Sequence, residues 1–429
     1  METRTRKRNM QLLRAALLGL LLALPGMAAR AGEYVRGHVL LQTQPGEDVG
    51  GLEDDYQTTT VAQVSAGGIV ALKTPEGTDE PTFVRQLQAD PRIRHAEVDS
   101  YLTLTGLSGH HFHFSFDAGP KPGDYLNQGA YAQVHWPNGA SGAGVTVAIL
   151  DTGVDLGHPA LQGAFVPGDN AVEPGTDPLD TPDTFFFPAL GHGTMVAGLI
   201  ARLAPGARLM PVRVLDSAGE GTLLTVLQGL DFAVKHGAKV INMSFGTPDP
   251  SPALADALAS AADAGVLLVA SAGNDGLNMR DYPASDPHVL AVASVEAGNI
   301  KSDFSNFGPQ VAVVAPGSGI RSTFWDGGYA NWSGTSFSAP FVTAEAALVL
   351  SGQPTLGAEQ AGERIRETAH SVSSLNPAFL GMLGHGLIDI DAALHPSATD
   401  DSGIASGMDS VMRSGTGRGG SKTTKRHDD

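Results

Sequence analysis

Cysteine is absent from the 429 residues. The chain therefore has no disulfide framework, no thiol nucleophile and no thiolate metal site. An exported protein of this length does not need disulfides, because its core suffices. Positive charge is also scarce: 27 Lys and Arg stand against 45 Asp and Glu, for a formal net charge of −18. Such an acidic surface repels nucleic acid and anionic lipid, so neither is expected as a partner. No apolar run reaches the roughly 20 residues of a membrane-spanning helix. What remains is 42% apolar residues, 17% charged residues, 54 Gly and 27 Pro, which suits a globular fold with many tight turns. The length exceeds the usual ~100–200 residues of one domain, so a large domain with smaller attached segments is expected.

The first segment reads as an export signal. Arg4, Arg6, Lys7, Arg8 and Arg14 precede an apolar run from Ala15 to Leu24, closed by Pro25-Gly26, and Ala29-Arg30-Ala31 has the small-x-small form that a signal peptidase cuts. Residues 1–31 are expected to be removed after Ala31. The product is then secreted, extracellular or periplasmic, and free of the membrane. Loss of this basic leader takes the net charge from −18 to about −23.

From residue 32 to 104 the pattern is that of a compact α+β module. Strands are expected at Tyr34 to Leu41, Gly67 to Leu72 and Ala96 to Leu104, with a helix at Pro81 to Ala89. Residues 105–123 read as a linker and processing region, and linker-like composition continues to about Pro137. From 124 to 394, strand candidates Val145 to Leu150, Leu209 to Val214, Lys239 to Met243, Val266 to Ala270 and Val289 to Ala293 alternate with helices such as Thr222 to His236 and Pro252 to Ala264. Apolar runs without alternation are strands buried on both faces. This predicts an α/β fold, a doubly wound, mostly parallel sheet with helices on both faces, binding ligands at the carboxyl ends of its strands. Residues 395–429 turn to Ser, Gly, Asp and Thr and read as a disordered tail. The tail's Gly415-Thr416-Gly417-Arg418-Gly419-Gly420 matches a dinucleotide fingerprint in form only, because no strand precedes it and no helix follows.

Three side chains supply the parts of an acyl-transfer catalyst. Asp151 follows the strand Val145 to Leu150. His192 lies in Gly191-His192-Gly193-Thr194, where small neighbours are expected to let a substrate backbone approach and the apolar run beyond is expected to be a buried helix. Ser336 lies in Gly334-Thr335-Ser336-Phe337-Ser338-Ala339-Pro340. Pro340 is best tolerated in a first helical turn, so Ser336 is expected to begin a helix reaching Leu350, with the positive end of its dipole at the hydroxyl. A serine hydroxyl is a poor nucleophile until an imidazole takes its proton, and that imidazole needs a carboxylate to fix its tautomer and stabilise its cation. Asn274, in Ser271-Ala272-Gly273-Asn274-Asp275-Gly276, offers a side-chain amide to the oxyanion beside the Ser336 backbone N–H.

The blocks around Asp151, His192 and Ser336, in that order, resemble those of the subtilisin-like serine proteases, and the block around Asn274 is similar to the family's oxyanion segment. The resemblance covers about residues 124–394. It implies a serine endopeptidase acting on proteins or peptides. It makes Ser244-Phe245-Gly246 and Gly219-Glu220-Gly221-Thr222 the two edges that pair with an extended substrate, with Ala272 and Gly273 beside them, and Gly384 to Asp389 the closing segment. The module at 32–104, with its Ala96-Glu97-Val98-Asp99 ending, is similar to the family's inhibitory propeptide. That likeness implies an intramolecular inhibitor removed by a cut somewhere from about Ser100 to Pro122. The pocket walls Ser244 to Gly246 and Ala270 to Gly273 contain no acidic residue, so an apolar or aromatic side chain is expected before the scissile bond.

The chain departs from the family at several positions. Met195 stands where a second His is common, and Phe337-Ser338 replaces Met-Ala. Ala160 replaces a calcium-binding Asp, and no insertion supplies other ligands between Ala201 and Pro205. No cofactor is required, and the usual calcium site lacks its donors. Other groups have bland readings. His110, His111 and His113 read as a solvated linker, with no metal expected. Asp169, Glu173, Asp177, Asp180 and Asp183 read as a solvated acidic loop, and the sequons at Asn242 and Asn331 as unused. Two other functions share features of this chain. A serine esterase would need Gly-x-Ser-x-Gly followed by its acid and then its histidine, whereas here position 338 is Ser and the order is Asp, His, Ser. An inactive, peptide-binding protein of the same fold would retain the motifs without the geometry.

Overall fold

Alternation along short strands organises the N-terminal part of the computed structural model, which describes residues 34–104, 114–116, 122–137, 139–185 and 187–395. The expected export signal, His110, His111, His113, most of the expected processing region and the tail beyond 395 lie outside the described residues. Strands β1 (Tyr34–Thr43), β2 (Thr60–Val64), β3 (Ile69–Lys73) and β4 (Ile93–Thr103), with helices α1 (Val49–Tyr56) and α2 (Glu80–Gln88), form an antiparallel sheet of order β2-β3-β1-β4. Its faces separate with period two. Val39, Leu41, Val70 and Leu72 pack with Leu52, Phe83 and Leu87 of the module's own helices. Leu40, Ile69, Ala71, Leu102 and Leu104 belong to a core shared with the following unit. Helix α1 and strand β2 were not expected from the sequence. Two glycines and a weak apolar stripe in Val49–Tyr56 conceal the helix.

Where linker composition continues to Pro137, the structure has β5 (Phe114–Phe116), α3 (Pro122–Leu126) and α4 (Gly129–Gln133). Two tyrosines explain why residues 122–133 are structured. Buried Tyr125 donates its hydroxyl to Gly198 O at 2.6 Å, and buried Tyr131 donates to Tyr125 O at 2.9 Å. Each ring removes apolar area from water while its hydroxyl keeps a partner.

The larger sheet contains β6 (Thr146–Asp151), β7 (Asp169–Asn170), β8 (Arg208–Arg213), β10 (Val240–Met243), β11 (Leu267–Ser271), β12 (Val289–Val295) and β13 (Val311–Pro316), all parallel, in the order β13-β12-β11-β10-β6-β8-β7. Successive residues serve opposite layers. Val147 and Ile149 face the core that holds α5 (His192–Leu203) and α8 (Thr335–Gly352). Ala148 and Leu150 face the core that holds α6 (Leu223–Lys235) and α7 (Pro252–Asp263). Two-sided burial is why these strands read as continuous apolar runs. The short strand β9 (Glu220–Thr222) precedes α6. The hairpin β14 (Ile320–Phe324) and β15 (Gly328–Trp332) pairs with β5, and α9 (Ala358–Thr368) and α10 (Ile390–Leu394) complete the fold. Among the described residues no helix is long and apolar enough to cross a membrane.

Candidate active site

Strands β11, β10 and β6 are neighbours, so the chain leaving their carboxyl ends places Ala272 to Asn274, Ser244 and Asp151 side by side. Asp151 is the last residue of β6 and is wholly buried. Its Oδ1 accepts the Thr152 N–H at 2.8 Å and the His192 Nδ1–H at 2.8 Å. With Nδ1 donating to a carboxylate, Nε2 is the nitrogen left to act as a base. His192 opens α5, whose first turns are buried throughout, and its ring packs against Trp332 at 5.4 Å and Phe337 at 5.2 Å, centroid to centroid. Gly193 serves a purpose other than substrate approach. A Cβ there would lie 2.2 Å from Gly153 O and 3.1 Å from Asp151 Oδ1, so the missing side chain lets α5 close on the strand carrying Asp151.

Ser336 is the second residue of α8, which begins at Thr335. Its N–H is therefore among the first four of the helix, which have no partner within it. Pro340 lies in the second turn, not in the first as its chemistry suggested. Proline has no N–H, so the Ser336 carbonyl four residues earlier loses its helical donor. The sheet supplies another, the Ser244 hydroxyl at 3.1 Å. Behind it runs a buried chain in which Thr343 Oγ1 donates to Asn242 Oδ1 at 2.8 Å and Asn242 Nδ2 donates to Ser244 Oγ at 2.9 Å. Asn242 is wholly buried and bonded, which closes its sequon to a glycan. The Ser336 hydroxyl itself donates to the Ser244 carbonyl at 3.2 Å. The structure thus joins Asp151 to His192 directly. The Ser336 hydroxyl is held by the residue that follows β10, and its neighbour Phe337 packs on the His192 ring. Catalytic hydrogen bonds commonly tighten only when substrate binds.

Asn274 Oδ1 accepts both the Thr335 N–H at 2.8 Å and the Thr335 hydroxyl at 2.9 Å. With its oxygen committed to the start of α8, the side chain presents its NH2 group as a donor. Gly273 has φ +103°, and a Cβ there would lie 2.1 Å from Asp281 Oδ2. An acid thus stands behind the presumed pocket wall. It is buried and accepts from Asn306 Nδ2 at 3.0 Å, and burial followed by the charge of Asp275 pushes its carboxyl up to about 6.

The two proposed edges are occupied by the chain itself. Tyr101, Leu102 and Thr103 pair antiparallel with Thr222, Gly221 and Glu220, and the Leu104 N–H donates to Gly219 O at 2.9 Å. On the other side Thr103 bridges Gly246, whose N–H donates to Thr103 O at 3.1 Å. Leu102 and Leu104 are buried in one cluster with Leu215, Leu223 and Phe245. Ala272, by contrast, bonds within the sheet, its N–H donating to Val292 O at 3.0 Å.

The acidic loop before His192 is not simply solvated. Asp180 is 2% exposed and receives the Gly191 N–H at 3.0 Å, the Thr194 N–H at 3.3 Å and the Thr194 hydroxyl at 2.7 Å, bracing the start of α5. Burial raises its carboxyl to about 7; the charge of Asp151 adds to the rise and the donors at Gly191 and Thr194 oppose it. Asp183 pairs with buried Arg213. Sequence reasoning missed Asp180 because its donors lie 11 to 28 residues away. The calcium site implied by the resemblance does not fit these residues. Ala160 offers no side-chain oxygen, and its N–H is taken by His158 Nδ1 at 3.1 Å in the turn Pro159–Leu161. Helix α5 then runs unbroken to Leu203, two residues before Pro205.

Comparison with known proteins covers the same region of the chain. The model of the subtilase family matches residues 142–386. The chain is 37% identical to the alkaline protease of Alkalihalobacillus alcalophilus over 326 residues, covering 73% of this chain and 77% of that protein. It is also 37% identical to subtilisin Savinase of Lederbergia lenta over 268 residues, 59% of this chain and 92% of that protein. Among solved structures it is similar to fervidolysin from Fervidobacterium pennivorans, described as a keratinolytic enzyme related to subtilisin. The TM-score is 0.68 at 26% identity, over 86% of this chain and 62% of that one, so the chain spans less than two thirds of fervidolysin.

Proposed function

The chain belongs to the subtilase family of serine endopeptidases, and on that premise we propose that it is a secreted protease, made as a zymogen and working through Asp151, His192 and Ser336. His192 Nε2 takes the Ser336 proton as Oγ attacks the scissile carbonyl, and buried Asp151 stabilises the imidazolium that forms. The Asn274 NH2 and the Ser336 N–H hold the oxyanion of the tetrahedral intermediate. His192 then protonates the departing amine, and a water activated by the same imidazole releases the acyl group from Ser336. No cofactor enters these steps.

The observation that carries this reading is the segment Tyr101 to Leu104, laid as an extended strand between Glu220–Thr222 and Gly246. An extended peptide held by main-chain bonds on both sides is bound as a substrate strand is bound. Residues 32–104 are accordingly proposed as the inhibitory propeptide and 124–394 as the catalytic domain, with Gly219, Gly221, Ser244, Phe245, Gly246, Ala272 and Gly273 forming the cleft. The register also selects a bond. Thr103 faces Gly246, so a substrate strand in that antiparallel register would set the residue two positions further on against Ser244, whose carbonyl receives the Ser336 hydroxyl. The proposed cut therefore follows Thr105. The apolar cluster around Leu102 and Leu104, and the absence of an open carboxylate at Gly273, support apolar preference along the cleft.

The test compares wild-type chain with Ser336→Ala. Wild type is expected to digest casein, to bind a serine-directed phosphonate and to release a mature form beginning at Gly106. The variant is expected to do none of these. Absence of self-cleavage, casein digestion and labelling in wild type refutes the enzyme reading, and a mature N-terminus away from residue 106 refutes the register. Peptides with Phe, Leu or Arg before the scissile bond test specificity, and an Arg preference overturns that part.

A further inference from the structure

Away from the residues of the cleft just described, three chain segments bring two imidazoles to one carboxylate oxygen. His135 follows α4, His370 follows α9, and Asp389 precedes α10. His135 Nδ1 lies 2.7 Å, and His370 Nε2 2.5 Å, from the same atom, Asp389 Oδ2. The potential ligand atoms of all three residues lie within 4.8 Å of one another. From this convergence we propose a divalent transition-metal site, with zinc as its natural occupant, formed by His135 Nδ1, His370 Nε2 and Asp389 Oδ2 and completed by water.

The chemistry of the donor set selects the ion. Two imidazoles and one carboxylate suit zinc, cobalt or nickel, whereas calcium and magnesium favour oxygen donors. Three protein ligands with one open position is a common zinc arrangement. Bonds of about 2.0–2.1 Å to a tetrahedral ion require ligand atoms roughly 3.3 Å apart, so each imidazole nitrogen must move away from Asp389 Oδ2 by less than about 1 Å. Both have room to do so: the His135 and His370 side chains are 59% and 60% exposed, which also admits the water.

The surroundings hold the donors in place without a metal. Asp389 Oδ1 accepts the Ala392 N–H at 2.9 Å as the cap of α10, leaving Oδ2 for the imidazoles. The backbone of His370 exchanges hydrogen bonds with Leu387 at 2.7 and 2.8 Å, and the Ile390 N–H donates to Val134 O at 3.0 Å. Supporting contacts of this kind orient metal ligands. Within the core, Glu345 of α8 is wholly buried with neither oxygen hydrogen-bonded. Burial chiefly, and then the charge of Asp389, push its carboxyl well above the ordinary range. The ion would join the segment before β6 to the closing segment across 254 residues of chain, and it would favour the folded state by binding it alone.

The test uses the full-length chain carrying Ser336→Ala, which removes self-digestion, after treatment with chelator and dialysis. Zinc titrated by calorimetry is expected to bind one equivalent at micromolar affinity or tighter and to raise the Tm by several degrees. Cobalt is expected to give the visible absorption of a four-coordinate ion. His135→Ala and His370→Ala are each expected to weaken zinc at least 10-fold and to abolish the rise, while melting without metal close to the parent. A His110→Ala/His111→Ala/His113→Ala variant is expected to retain the site. Absence of a zinc-dependent Tm shift in the parent overturns the proposal and leaves a hydrogen-bonded clasp. Undiminished binding in the His135→Ala/His370→Ala double variant overturns it as well. These readouts do not depend on proteolysis, so failure here leaves the assignment of Ser336 untouched.

Discussion

The sheet of residues 34–104 and the sheet of the larger unit are both buried on two faces, yet for different reasons. In the larger unit both faces are covered by its own helices, α5 and α8 on one side, α6 and α7 on the other. In the smaller one only the face of Val39, Leu41, Val70 and Leu72 is covered from within, and the opposite face rests on its neighbour. Polar contacts tie that border at defined points. Glu97 Oε1 receives the Ala253 N–H at 2.9 Å in the first turn of α7, and Asp99 Oδ1 receives the Leu224 N–H at 2.9 Å in the first turn of α6. Each carboxylate therefore caps a helix belonging to the other unit, where an anion meets free N–H groups and the positive end of a dipole. His38 Nε2 donates to Asp99 Oδ2 at 2.8 Å, and Asp256 faces both His95 at 3.0 Å and Arg94 at 3.1 Å. One unit is self-sufficient, and the other is completed by the surface it covers.

Substitutions in the two units should accordingly have separable effects. The largest is expected for Ser336→Ala, which should lower peptide hydrolysis by roughly 10⁴- to 10⁶-fold, the scale of losing a triad member, while the uncut chain retains both units at one Tm. Next, Asn274→Ala should reduce kcat by about 10²- to 10³-fold with little change in KM, as measured on a peptide substrate. A KM effect of that size instead would assign Asn274 to ground-state binding. On the other side of the border, Asp99→Ala in a separately produced 32–104 fragment should weaken inhibition of the mature enzyme. Loss of one helix cap, about 0.5–2 kcal/mol, corresponds to a Ki increase of roughly 2- to 30-fold, with kcat unchanged. An unaltered Ki would show that the apolar face alone holds the units together.

The smallest effect concerns pH. The Asp180 carboxyl keeps its proton to about pH 7 in the folded chain, against 3.8 for an ordinary aspartate. The unfolded chain ionises first as pH rises, so this residue should lower stability progressively from about pH 4 to pH 7 and no further above that. Asp180→Asn mimics the protonated form and should flatten the profile of Tm against pH in that window. An unchanged slope contradicts the proposed protonation.

Much of the larger unit was legible because double-sided burial leaves an unmistakable mark. Strands β6, β8, β10, β11 and β12 fall within a residue or two of the predicted runs, and Asp151 follows directly from the end of β6. The smaller unit was less legible. Val49–Tyr56 is a helix with a single fully buried residue, Leu52, so tertiary packing rather than pattern fixes it. Asp180 and Glu97 were misread or unexplained for a common reason: their partners include backbone N–H groups of distant helix starts, and neither a carboxylate in a Pro-containing loop nor one in a strand shows anything of that in its neighbours. The cluster of His135, His370 and Asp389 was likewise invisible, since its members span 254 residues. The sequence showed Pro340 plainly, but its position followed from a bond that only the folded sheet supplies.

The missing helical bond at Pro340 also divides α8 mechanically. Its first turn is tied to the sheet through Ser244 and Asn274, and α9 and α10 also pack against the helix. Bending of the part toward Gly352 should be absorbed at the second turn, where the ladder is already interrupted, before it reaches Ser336. The hydroxyl should then remain sharply positioned at temperatures where the far end of its helix has begun to loosen.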